Sequence, residues 1–432
     1  MRLAALALAL AAGLGLAQAS KVAKRAAQVS GAAKGTYGSS NKIGFNFRGS
    51  PAYGVNLGAW LTPSIYNAPN NSAIVDEYTL CSVLGKSQCL KVLEQHWDSF
   101  ITADDFAAIK AAGLNLVRIP VGYWAVDAGD GTEPYVQGSF FRLQRAVLWA
   151  RANGISVMVD LHGAVDSQNG WDESGRKGTV GWFDTSDNMR RTLAALQTLA
   201  TEFAKPAYGG AVVAIEVVNE PLTNQRATSA SRLSFLSSYM AQAFAIIHSP
   251  GLPFAFAFHD AFQSLAYWSK FMPSKIWKDV VITDHIYRAL SSSGMRMTDT
   301  QRIASICATG SSLAASSKAY PTIIGAREFP TARHTRTSPS YYDGSRGNTP
   351  VGSCVGMSGS ASTFSAAYVE RLARFWEAQA RVYSGAGDGW IMWTWKTEAG
   401  YAEDWSYQRG LQYGWIPPTP TAYRYPDPCS SS

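Results

Sequence analysis

Short apolar runs rich in β-branched residues recur along the chain, and most of the gaps between them read as helices. The runs are "GVNLGA" (54–59), "LNLVRIP" (114–120), "ISVMVDLH" (155–162), "AVVAIEVVNE" (211–220), "PFAFAFHD" (253–260), "DVVITDH" (279–285), "PTIIGARE" (321–328) and "GWIMWTWK" (389–396). Continuous apolar stretches of this length suit strands buried on both faces. Between them, "TADDFAAIKAAG" opens on Thr102 as an N-cap and stops at Gly113, and "FFRLQRAVLWARANG" ends the same way at Gly154. "DNMRRTLAALQTLATEFA" and "AAYVERLARFWEAQARVY" repeat the apolar spacing of a helix face. Eight buried strands alternating with helices predict an α/β fold, a single (β/α)8 TIM barrel with long βα loops. No break in composition calls for a second domain, so the barrel is assigned to 51–432, after a Gly/Ser-rich lead-in over 26–50.

The N-terminus changes the picture of compartment. "MRLAALALALAAGLGLAQAS" has an early arginine, an apolar stretch and a small-residue "AQA", the pattern of a secretory signal peptide over 1–19. Residues 20–25 end in Lys24-Arg25, which reads either as a dibasic propeptide site or as an ordinary basic start of the mature chain. Arg2, Lys21, Lys24 and Arg25 would leave with such a leader, taking the formal charge from +7 down to +3. That balance gives no reason to expect nucleic acid as partner. No other run reaches transmembrane length, so the expectation is a secreted, extracellular or cell-wall-associated monomer without membrane contact. Five cysteines leave one odd; Cys81 and Cys89 are close enough to bridge locally. "NNS" at Asn70 is a glycosylation sequon. The chain holds 14 Trp, 20 Tyr and 18 Phe with 16% charged residues, a composition that suits both a large core and stacking on sugar rings.

Polar residues fall at the C-terminal ends of the predicted strands: Arg118, His162, Asn219 with Glu220, His285, Glu328 and Trp393. In a (β/α)8 barrel that rim assembles the active site. Two of these ends carry a glutamate, Glu220 on the fourth strand and Glu328 on the seventh. Glycoside hydrolysis needs such a pair: one carboxyl protonates the leaving oxygen, and the other attacks the anomeric carbon or activates water. Asn219 is placed to hold the sugar 2-OH, and Arg118, His285 and Tyr287 to surround Glu328. No C-x-x-C, H-E-x-x-H, G-x-S-x-G or phosphate-binding loop occurs, so neither a metal nor any other cofactor is expected.

The ordered set "GVNLGAW", "DEYTLC", "HWDSFIT", "VRIPVGYWA", "VDLHGAVDSQNGWDESG", "NEPL", "GWIMWTWKTE" and "YPDPC" resembles the secreted fungal exo-β-1,3-glucanases of glycoside hydrolase family 5, from about residue 45 to Cys429. The resemblance implies a retaining mechanism with Glu220 as acid/base and Glu328 as nucleophile, acting on β-glucan polysaccharide or oligosaccharide. It implies that Arg118, His162, Asn219, His285, Tyr287 and Trp393 line the subsite of the cleaved sugar, with Trp395 the alternative to Trp393. Three departures qualify it. "GAWLTPSIY" lacks several residues, including a glutamate for the terminal sugar, so weaker end-binding is expected, with some internal cleavage or low activity. Arg327 precedes Glu328 where the family has glycine, and alternation along the strand should turn it away. Leu290 replaces an aromatic at the cleft mouth, leaving Trp171 as one stacking wall. The family's cysteine after the nucleophile is also missing, which pairs Cys307 with Cys429 and leaves Cys354 odd. The competing readings are a β-glucosidase or β-1,6-glucanase using the same carboxylates, and a glucan-binding protein that has lost turnover.

Overall fold

The structure is a computed structural model. It describes residues 44–63, 71, 73–127, 129–225, 227–249, 251–271, 277–287, 291–327, 349–353, 355–357, 359–397 and 400–430. Eight strands, β1 (Ala52–Asn56), β2 (Leu116–Gly122), β3 (Ser156–Gly163), β4 (Val212–Glu216), β5 (Ala255–His259), β6 (Val280–Ile286), β7 (Thr322–Arg327) and β8 (Gly389–Met392), close into one parallel barrel in chain order. This is the (β/α)8 architecture expected from the alternation. β8 closes onto β1 with Ala52 opposite Gly389. A side chain there would place its Cβ 2.2 Å from the Ala52 carbonyl oxygen, and Gly389 has φ +126°, so only glycine allows the closure.

Helices fill the gaps as their caps dictate. Thr102 and Asp105 cap the Ala103–Ala111 helix, the Thr102 N–H donating to Asp105 Oδ2 at 2.8 Å. Helices Ser139–Ala152, Ser186–Phe203 and Ala366–Gly385 match the predicted amphipathic segments. Their apolar faces pack on the outward-facing residues of the strands, including Val117, Val159, Ile215 and Ile324.

The inward-facing residues change character with height. At the base, Leu116, Met158, Ala214, Ala255, Val281 and Ile391 form an apolar floor, closed underneath by Phe45 and Phe47. Those two phenylalanines belong to the lead-in segment, and Arg48 fastens it by donating to the carbonyls of Ser317 (2.8 Å) and Ala319 (2.9 Å). Two residues up, β2, β3, β4 and β6 carry Arg118, Asp160, Glu216 and Thr283, and higher still β3, β5 and β6 carry His162, His259 and His285. The period of two along a strand thus carries each chain from floor to site.

Two strand ends differ from expectation. β4 was expected to run to residue 220 but leaves the ladder after Glu216. Beyond it, single main-chain bonds continue, from the Val217 N–H to the Ala257 carbonyl and from the Asn219 N–H to the Leu161 carbonyl, and side chains add to them: the Tyr239 hydroxyl donates to the Val217 carbonyl, and the Gln168 amide to the Asn219 carbonyl. β8 was expected to run to 396 but stops at Met392, where a cis Trp393–Thr394 peptide follows. The Thr394 hydroxyl then ties the segment to the Asn56 carbonyl at 2.7 Å.

Both cystines expected from the sequence are present, Cys81–Cys89 and Cys307–Cys429. Glu328, Leu290, Cys354, Asn70 and the Arg327 side chain lie outside what the structure describes.

Candidate active site at the C-terminal rim of the barrel

The site stands on a buried ionic layer. Arg118 of β2 has no exposed surface, and its guanidinium reaches side chains from β1, β3 and the end of β4. Nε donates to Glu216 Oε2 at 2.6 Å, Nη1 to Asn56 Oδ1 at 2.9 Å and Nη2 to Asn219 Oδ1 at 2.8 Å, with Asp160 Oδ2 3.0 Å from Nη2. Thr283 of β6 donates to the other oxygen of Glu216. Burial opposes the charge on Arg118, but Asp160 and Glu216 outweigh it and hold the guanidinium above the ordinary arginine range. A buried charge fixed on so many sides sets the angle of Asn219, and Asn219 precedes Glu220.

Glu220 sits at the end of this scaffold with φ +44°. A non-glycine residue there is strained, and such strain persists only where the surroundings hold it. Gln168 provides the hold: its amide nitrogen donates to the carbonyls of His162 and Asn219, both at 2.8 Å, while its oxygen accepts the Ala164 N–H. The Asn169 amide reaches the Glu220 carbonyl at 3.3 Å. The Glu220 carboxylate is thereby held at the rim with Oε1 2.5 Å from His285 Nδ1.

The imidazoles around it have distinguishable roles. Asp160 can only accept, so His162 carries its proton on Nδ1 (2.6 Å) and offers Nε2 as a lone pair. His259 Nδ1 accepts the Ala261 N–H at 2.9 Å, which places its proton on Nε2. Burial, then His285 and Arg118, push His259 well below the usual histidine range, so it stays neutral. Nε2 of His162, His259 and His285 are buried and have no hydrogen-bond partner among the described residues. Buried polar atoms of this kind are what a ligand's hydroxyls would satisfy. Glu220, His259 and His285 offer ligand atoms within 4.8 Å of one another. His259 Nδ1 is taken up by the Ala261 N–H and Nε2 then carries the proton, so that ring has no lone pair for a cation.

Aromatic rings stand beside these groups. The Trp393 indole stacks on His162 (5.6 Å between centroids, 11° between planes) and lies against Gly58, where a Cβ would come within 2.6 Å of the ring. Tyr287 lies 6.4 Å from His285 and stacks on Trp405 at 6.2 Å. Trp395, the alternative to Trp393, is in the core instead, its indole donating to Asp105 at 2.9 Å. Trp171 is 39% exposed and meets Phe262 edge to face at 5.7 Å.

Of the residues picked out from sequence, Arg118, His162, Asn219, Glu220, His285, Tyr287 and Trp393 converge here, with Trp171 at the margin. His285 was expected beside Glu328; among the described residues its partner is Glu220. Asn56, Asp160, Glu216, Gln168, His259, Asp260 and Phe262 were not picked out. Reading every second residue of a strand upward from an apolar one would have found Asp160, Glu216 and His259. Burial, followed by Asp284 and Glu220, pushes the Asp260 carboxyl well above its usual range.

Comparison with known proteins agrees with this geometry. The Cellulase (glycosyl hydrolase family 5) profile matches residues 82–325. A probable glucan 1,3-beta-glucosidase A of Aspergillus clavatus is 38% identical over 89% of this chain and 92% of that protein. A glucan 1,3-beta-glucosidase of Blumeria graminis is 35% identical over 90% and 92%. Among solved structures, rutinosidase from Aspergillus niger superposes with a TM-score of 0.69, at 19% identity over 86% of this chain and 99% of that one, a likeness of fold. With a barrel that brings these side chains to one rim, and relatives matching along nearly its whole length, the chain belongs to glycoside hydrolase family 5 and is a glycoside hydrolase.

Proposed function

We propose that the protein is a secreted, retaining glycosidase of β-1,3-glucan, with Glu220 as acid/base and Glu328 as nucleophile. The observation that carries the reading is the Glu220 carboxylate, held by a strained backbone at the C-terminal rim of the barrel among buried imidazole nitrogens without hydrogen-bond partners and beside stacking rings. The names of the relatives support glucan as substrate. In the first step Glu328 attacks the anomeric carbon while Glu220 gives its proton to the departing oxygen. In the second, Glu220 takes a proton from the water that releases the sugar. Asn219, fixed by Arg118, holds the 2-OH, and Trp393 carries the ring of the cleaved sugar. Trp171 and Phe262 form the wall on the leaving-group side.

No helix among the described residues is long and apolar enough to cross a membrane, which is compatible with export. Time-resolved product analysis on laminarin tests the substrate. Glucose as the dominant early product supports an exo-acting glucosidase, and a ladder of oligosaccharides supports the open end expected from "GAWLTPSIY". No hydrolysis of laminarin would reject the reading.

A further inference from the structure

β1 ends in a buried asparagine whose side chain and main chain both hold the rim. Asn56 has no exposed surface. Its amide oxygen accepts from Arg118 Nη1 at 2.9 Å, and Nδ2 donates to the carbonyls of Gly325 (3.0 Å) and Met392 (3.3 Å). A guanidinium can only donate and a carbonyl can only accept, so these partners fix which way the amide faces. Among the described residues β7 and β8 are in register at one pair, Ile324 with Trp390. Asn56 joins the two strands above that pair, through one carbonyl of each.

The main-chain carbonyl of Asn56 then accepts the Thr394 hydroxyl at 2.7 Å and the Trp395 N–H at 2.9 Å. Trp393 is therefore bracketed by one residue, before it at Met392 and after it at Thr394 and Trp395. The Thr394 hydroxyl oxygen accepts the Gly58 N–H at 3.0 Å, and the bare Cα of Gly58 leaves room for the Trp393 indole.

We propose that Asn56 is a positioning residue that sets the Trp393 ring and the Asn219 amide at one fixed spacing. The proposal rests on the reading of Trp393 as the platform of the cleaved sugar and of Asn219 as the holder of its 2-OH. Asn56 reaches Asn219 through Arg118, whose Nη2 donates to Asn219 Oδ1 at 2.8 Å. Asp160 and Glu216 also hold the guanidinium, so Arg118 is the fixed end of this chain of contacts and Trp393 the end that Asn56 must place. A carboxylate in place of the amide would still receive Arg118, but it has no N–H for the Gly325 and Met392 carbonyls. Acceptor would then face acceptor in a buried layer, and Met392 would move, carrying Trp393 with it. Stacking on the sugar ring and the bond to its 2-OH could no longer both be made in good geometry. The loss falls on the cleaved sugar and is the same whatever group leaves.

The test is the inhibition constant of a glucose-configured iminosugar, a monosaccharide-sized probe of the cleaved-sugar subsite, for the wild type, Asn56→Asp and Thr394→Val. An inhibition constant does not depend on how much of the enzyme is active, so an unfolded fraction leaves it unchanged. In Asn56→Asp it should rise about tenfold or more, as ångström-scale misplacement allows. The kcat/KM values on laminaribiose and on an aryl β-glucoside should fall together, by similar factors. An unchanged inhibition constant in Asn56→Asp, shown to be folded by circular dichroism, overturns the proposal, and so does a fall in kcat/KM confined to one of the substrates. Thr394→Val removes one bond to the Asn56 carbonyl and decides the matter should Asn56→Asp not fold. There a rise of about threefold or more, the scale of one hydrogen bond, supports the proposal, and a smaller one overturns it. Failure of the underlying reading has its own signature: Trp393→Ala would then keep the wild-type inhibition constant.

Discussion

The acid role proposed for Glu220 depends on how a single residue is held. Its carboxyl is aimed by a left-handed backbone that Gln168 and Asn169 stabilise, and it meets His285 at 2.5 Å. Glu220→Gln should lower turnover of laminarin by about 10²–10⁴-fold, the range of general acid catalysis. Activated aryl glucosides, whose leaving groups depart with little proton assistance, should lose far less. Parallel steady-state kinetics on the two substrates check this, and an equal loss on both would remove Glu220 from the role. Asn219-Glu220 was visible in the sequence because a carboxylate ended an apolar run. Phe262 was hidden because it sits in a loop, where no period marks which side chains face the site. Its placement depends on local turns: His259 and Asp260 each accept an N–H from the segment Ala261–Phe262, which swings Phe262 toward Trp171.

The strands were legible because burial on both faces makes them apolar throughout. The same property concealed the ionic layer inside, since one Arg, Asp or Glu in such a run looks like an irregularity. Strand lengths failed where regular pairing gives way to single main-chain bonds supplemented by side chains, as after Glu216 and Met392. Neighbouring strands also constrain one another. At Gly325 of β7 a Cβ would lie 2.8 Å from His285 Nε2 and 3.1 Å from Thr283 Cβ. Gly325→Ala should therefore displace His285 from Glu220 and lower kcat/KM by about tenfold or more, since ångström-scale misplacement is enough for such a loss. Kinetics together with circular dichroism separate this from unfolding; wild-type kcat/KM in the variant would show that β6 tolerates the shift.

Across the whole molecule, two features outside the catalytic side chains bear on stability. Glu77, 1% exposed, accepts from the Trp124 indole at 2.9 Å, and its pKa is pushed up to about 8, chiefly by burial, with Trp124 opposing and Asp76 adding. The folded chain then holds a proton that the unfolded chain releases near the ordinary value of 4.5. This contribution to stability is complete below that value and is lost progressively as pH rises to about 8. Tm should fall across that window, and Glu77→Gln should flatten the fall; an unchanged slope would show that Glu77 ionises freely when folded. The second feature is the tail. Cys307–Cys429 closes 122 residues, and Glu377 of the Ala366–Gly385 helix accepts from the Arg424 guanidinium and from the Arg424 and Tyr425 main chain. Cys429→Ser should cost about 2–4 kcal/mol in denaturant unfolding. A loss below about 0.5 kcal/mol would mean that the Glu377 contacts alone anchor the tail.

The central claim, a double displacement with Glu328 as nucleophile, is tested most directly by trapping the glycosyl-enzyme. A 2-deoxy-2-fluoro-β-glucosyl fluoride slows the second step, and mass spectrometry of the protein and its peptides locates the label. One fluoroglucosyl group on the peptide containing Glu328, absent from Glu328→Gln and retained in Glu220→Gln, is the result the account predicts. A label on another residue, or release of the α-anomer as first product from a β-glucoside, would contradict it.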